Sequence, residues 1–78
     1  MKIEILGTGC TKCAQLLANT EQAVRETGVQ AEIVKVTELR EIVRRGVMFT
    51  PALAIDGTVR SSGKVLSSEE ITRLFPAG

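Results

Sequence analysis

The 78-residue chain has no histidine, tryptophan or tyrosine, and only two phenylalanines, two prolines and two cysteines. Without histidine, and with two thiols in all, one chain cannot complete the four-ligand set of a closed structural zinc site; such a site would need a dimer. Without tryptophan or tyrosine it lacks the large aromatics that stack on bases. Ten basic residues against nine acidic ones leave a net charge of +1, too little to drive binding to nucleic acid or an anionic membrane. Long hydrophobic runs are absent too, and the amino terminus reads Met-Lys-Ile-Glu. Neither a membrane span nor a signal peptide is expected, which makes the cytoplasm the expected compartment.

What is present fits one compact domain over residues 1–78, with 44% apolar residues spread along the chain, a composition that folds as a monomer without help from a partner. The two cysteines, Cys10 and Cys13, are three positions apart. In a reducing compartment such a pair is redox-active or metal-binding rather than a permanent staple.

Residues 2–6 alternate and close on Gly7-Thr8-Gly9, a strand running into a tight loop. From Thr11 to Glu26 the apolar positions Cys13, Leu16, Leu17, Ala23 and Val24 recur at helical spacing, with Gly28 as the stop. Residues 31–36 supply a second strand. Thr37 then caps a short helix through Arg45, its inward side Leu39, Ile42 and Val43. Pro51 opens a third strand, Ala52-Leu53-Ala54-Ile55, and Asp56-Gly57 turns it into Thr58-Val59-Arg60-Ser61 as a hairpin. Ser67 and Glu70 form a capping box for a last helix with Ile71, Leu74 and Phe75 on its apolar side and Pro76 as its end. The expected order is β-α-β-α-β-β-α, an α/β fold with a four-stranded mixed sheet flanked by helices. The first strand lies inside that sheet, with Ile3 and Ile5 facing one way and Glu4 and Leu6 the other.

Residues three apart at the start of a helix lie one turn apart, within the roughly 4.4–6.8 Å between α-carbons that a disulfide tolerates. Just ahead of the helix, Cys10 meets unpaired backbone N–H groups and the positive end of the macrodipole, which favour its thiolate; Lys12 adds a smaller push in the same direction. Cys13 recurs with Leu16 and Leu17 and is the more buried sulfur. The expected roles follow: Cys10 attacks a substrate disulfide, and Cys13 then resolves the mixed disulfide.

Gly9-Cys10-Thr11-Lys12-Cys13 after a first strand, with Thr50-Pro51 before the hairpin, resembles the thioredoxin and glutaredoxin superfamily over nearly the whole chain, and most of all its small redox-active disulfide proteins of archaea and bacteria. The resemblance implies a thioredoxin-like fold and a dithiol carrier exchanging electrons with protein disulfides. It implies no bound cofactor, disulfide-containing proteins as substrates and an unidentified reductase as partner. It also implies that Pro51 is cis beside the cysteines and that Thr50 offers backbone hydrogen bonds to an extended substrate. Thr11-Lys12 replaces the Gly-Pro or Pro-Tyr of relatives, so no redox potential carries over. Gly9 stands where thioredoxins have tryptophan, so a different substrate-facing surface is expected. Glu4, six residues before Cys10, matches the buried acid that accepts a proton from the second thiol in thioredoxins.

Simpler readings compete at several positions. The Gly7-to-Cys13 loop also resembles the Gly-Met-Thr-Cys-x-x-Cys loop of heavy-metal-associated domains, so soft-metal binding, such as copper(I) transfer, is the alternative function. Those domains follow a β-α-β-β-α-β order, whereas this chain is expected to end in a helix. A disulfide that merely senses redox state is a third reading. Gly7-Thr8-Gly9 is no dinucleotide loop, because Lys12 occupies the position of the third glycine. Glu4 reads more simply as an acid at a solvent-reachable strand end or paired with a surface lysine, and Arg44-Arg45 as favourable charge at a helix carboxyl end. Met48 and Phe49 read as core residues or as an apolar rim beside the site; the core is expected, because exposing both would leave an unprotected apolar patch.

Overall fold

The computed structural model describes residues 1–9 and 11–75. Its elements are β1 (Lys2–Leu6), α1 (Thr11–Thr27), β2 (Glu32–Val36), α2 (Leu39–Arg44), β3 (Ala52–Ile55), β4 (Thr58–Ser62) and α3 (Ser68–Leu74). The sheet order is β2-β1-β3-β4. β1 pairs with β2 in parallel and with β3 antiparallel, giving the expected mixed sheet with β1 inside it.

Alternation along β1 divides the core in two. Ile3 and Ile5 join Leu16 and Ala23 of α1, Leu53 and Ile55 of β3, and Ile71 of α3. Leu6 faces the other way, with Ile42 of α2, Val47, Ala52 and Ala54. Helices thus cover both faces, and apolar area removed from water on each side of so small a sheet is what allows the chain to fold. β1 and β2 end at the same edge of the sheet as the start of β3 and the end of β4, so the loops around Gly7 and Pro51 share one end of the molecule.

The β3–β4 turn has Asp56 and Gly57 both at positive φ, the conformation a two-residue hairpin turn of matching twist requires. The Asp56 side chain accepts from the Lys2 backbone N–H at 2.8 Å, tying the turn to β1. Further along, Leu53 pairs with Ser61 but Ala54 with Val59, so Arg60 is the additional residue of a β-bulge. α3 starts on the capping box as expected: Ser67 Oγ accepts from the Glu70 N–H, and the Glu70 carboxylate accepts from the Ser67 N–H.

α2 departs from the sequence reading. It begins at Leu39 with Glu38 rather than Thr37 in the cap position, and no side chain caps it. Of its three expected inward residues only Ile42 is buried; Leu39 and Val43 are each 64% exposed. One and a half turns of helix present a single line of residues to the sheet, and Ile42 fills it. Met48 and Phe49 are likewise outside the core, at 86% and 67% exposure. Val47 takes the inward place in that loop.

Candidate active site

The carboxyl end of β1 sets the site. Gly7 continues the strand by donating its N–H to the Val36 carbonyl at 2.9 Å, and Cys13, in the first turn of α1, lies directly over it. A Cβ built on Gly7 would collide with Cys13 Sγ, and it would also touch the Thr50 side chain at 3.8 Å. Gly7 does not need its freedom for a left-handed φ; it is glycine because a sulfur occupies the space of a side chain. Sequence reading placed this glycine in a tight loop after the first strand and missed its role, for which the spacing to Cys13 was the available signal.

Cys13 is 7% exposed, the buried sulfur that the helical pattern indicated. Cys10, the proposed attacking sulfur, lies outside the described residues. Thr11 and Lys12 are exposed on the first turn of α1, which carries no acidic residue. A small cleft of about 170 Å³ opens beside the sulfur, lined by Ile5, Gly7, Cys13, Leu17, Lys35 and Thr37.

Thr50 and Pro51 come in beside Gly7, the Thr50 side chain bordering the same space that the sulfur fills. Their peptide bond is cis, as the resemblance implied. Thr50 is exposed and Pro51 fully buried. The Pro51 carbonyl accepts from the Gly63 N–H at 2.8 Å, which fastens this loop to the end of β4. The structure therefore brings Cys13, Gly7, Thr50 and Pro51 together at one end of the sheet.

Glu4 does not lie at a solvent-reachable strand end and has no lysine partner. It is 3% exposed, on the α2 face of β1, where Arg45 Nη2 donates to its Oε2. Arg45 also faces Glu41 Oε1 at 3.5 Å. The hydrogen bond to Glu4 is the main cause raising the Arg45 guanidinium above its already high ordinary value, with Glu41 assisting. A carboxylate is costly to bury unless a cation pays its desolvation; Arg45 is that cation, rather than merely a charge on a helix end.

A parallel strand–helix–strand unit, an antiparallel hairpin entered through a cis proline, a closing helix and a cysteine against the end of the first strand define a thioredoxin-like protein. Comparison with known proteins agrees. Residues 1–76 match the model of the family described as thioredoxin domain. The thioredoxin of Methanothermobacter thermautotrophicus is 43% identical over 75 residues, covering 96% of this chain and 97% of that protein. That of Methanocaldococcus jannaschii is 49% identical over 69 residues, covering 88% of this chain and 79% of its own length. The chain belongs to the thioredoxin-domain family, the family of thiol–disulfide oxidoreductases that its cysteine motif resembles. Among the described residues, no helix is long and apolar enough to cross a membrane.

Proposed function

We propose that the chain is a dithiol electron carrier that reduces protein disulfides through Cys10 and Cys13. The observation that carries this reading is the seating of Cys13 Sγ against Gly7, next to Thr50 and Pro51. A buried second sulfur beside a surface that can receive an extended chain is what a resolving cysteine requires. The closing helix α3 adds support, because it gives the thioredoxin order of elements and not that of heavy-metal-associated domains.

In the proposed reaction the Cys10 thiolate, favoured by the amino end of α1 and by Lys12, attacks one sulfur of the substrate disulfide. That S–S bond breaks, a mixed disulfide forms, and the departing substrate thiolate takes a proton. Cys13 then loses its proton and attacks Cys10 Sγ, expelling the second substrate thiolate, which is protonated in turn. The substrate gains an electron pair and is reduced, and the carrier is left with a Cys10–Cys13 disulfide. A separate reductase restores the dithiol. Thr11 spaces the two sulfurs, Thr50 and Pro51 receive the substrate backbone, and Glu4, held by Arg45, fixes α2 against β1. A carrier of this kind works in a reducing compartment, the cytoplasm, with no bound cofactor.

The Cys13→Ser variant tests the assignment. Incubated with insulin, it should accumulate a covalent adduct through Cys10, visible by mass spectrometry and released by dithiothreitol. Insulin reduction by the variant should fall by at least about two orders of magnitude. Undiminished turnover, or no adduct, would overturn the roles.

A further inference from the structure

Two elements carry the two halves of the site. β1 runs into Gly7, against which Cys13 is seated, and α2 leads through a short loop to Thr50 and Pro51. Pro51 is fastened to the end of β4 through its carbonyl. What fixes Thr50 from the other direction is the carboxyl end of α2. There the Arg45 and Gly46 N–H groups donate to the Glu41 and Val43 carbonyls, the Val47 N–H donates to the Ile42 carbonyl at 3.3 Å, and the Val47 side chain is buried with Leu6 and Ala52. Between that knot and Thr50 stand Met48 and Phe49, both exposed, so the place of Thr50 depends on where α2 ends.

Glu4 of β1 and Arg45 supply a polar tie between these two elements. Glu4 lies three residues before Gly7, and Arg45 five before Thr50. The carboxylate is buried, and its neighbours in register across the sheet, Val34 and Ala54, are apolar; its charged partner is Arg45, with Glu41 behind it. Glu4 faces α2, whereas Cys13 belongs to α1, whose Leu16 and Ala23 pack with Ile3 and Ile5 on the other face. Arg45 Nη1 is buried with no hydrogen-bond partner among the described residues. A buried ion pair that also buries an unsatisfied donor is a poor source of net stability. What it does supply is a fixed geometry between β1 and the end of α2.

We propose that Glu4 and Arg45 are positioning residues for peptide disulfides. By holding the end of α2 to β1 they set the separation between the Cys13 sulfur and the Thr50 backbone, and with it the depth at which a bound chain presents its disulfide to the cysteines. The inference rests on the dithiol reading and on Thr50 receiving the substrate backbone. It has Glu4 act through Thr50, not as an acceptor of the Cys13 proton.

Two substrates separate this role from a merely structural one: an extended peptide carrying one disulfide, and hydroxyethyl disulfide, which has no peptide backbone to place. Thiol release from each by the pre-reduced protein gives a ratio of rates. Arg45→Met should lower the rate on the peptide about tenfold relative to hydroxyethyl disulfide, as displacement of a reacting group does. Arg45→Lys returns the charge without the guanidinium fork, so it should recover part of that loss, and it keeps the test decisive if Arg45→Met does not fold. Ser67→Ala, destabilised at α3 instead, should keep the parent ratio. Glu4→Gln should lower the ratio while the pH profile of hydroxyethyl disulfide reduction keeps its shape. A ratio unmoved in the Arg45 variants, or moved as far by Ser67→Ala, overturns the proposal. So does a displaced pH profile in Glu4→Gln with the ratio unchanged, which would make Glu4 a proton acceptor. A parent protein that reduces neither substrate would sink the dithiol reading itself.

Discussion

Gly7 shows how one missing side chain can place a reactive group. Cys13 reaches its seat because nothing projects from Gly7, and the Thr50 side chain borders the same gap. Gly7→Ala should therefore displace the sulfur and slow disulfide reduction by about tenfold or more, as misplacement of a reacting atom does, while circular dichroism stays native in shape. Unaltered kinetics of insulin reduction in that variant would show that the contact is incidental. Residues whose meaning is local were legible before the structure: the spacing of Cys13 within a helical pattern, and Thr50-Pro51 as the entry to a strand. Glu4 was not. Its partner Arg45 lies 41 positions away in sequence, and no local pattern connects a strand acid to a charge beyond a later helix.

At the scale of elements, legibility followed the strength of local signals. α1 has a full helical stripe, the β3–β4 turn has Asp-Gly, and α3 has its capping box; all three stand where their residues indicated. α2 lacks any side-chain cap and is too short to show a stripe, so its inward face could not be chosen from spacing alone. The capping box also carries a pH dependence. Accepting the Ser67 N–H, with help from the Ser67 hydroxyl, holds the Glu70 carboxyl below its ordinary value. Because the folded value lies below the unfolded one, this contribution is complete above the ordinary glutamate range and disappears as pH falls through the depressed folded value. Glu70→Gln should flatten that part of the acid limb in thermal melts followed against pH. Ser67→Ala should lower stability by about 1 kcal/mol at neutral pH in denaturant titrations.

For the molecule as a whole, the Glu4–Arg45 pair links the sheet interior to the helix that bears the exposed Leu39 and Val43. Arg45→Met leaves a carboxylate buried without its cation, so it should lower the unfolding midpoint more than the double variant Glu4→Leu, Arg45→Met, which removes both charges. Equal midpoints would mean that water or another group satisfies Glu4. Arg45 is the cap residue at the end of α2, so the single variant should also lower protection from hydrogen exchange in that helix ahead of α1.

The bulge at Arg60 bears on how this protein survives at high concentration. A four-stranded sheet has two outer strands, and an outer strand with an uninterrupted row of backbone donors and acceptors is a template for runaway cross-β assembly. On β4 the row is broken where Arg60 is inserted, and a long cation stands at the break. An incoming strand would lose register at that point and meet a charge it must desolvate. The hairpin that presents Pro51 is, by the same irregularity, a poor seed for fibrils.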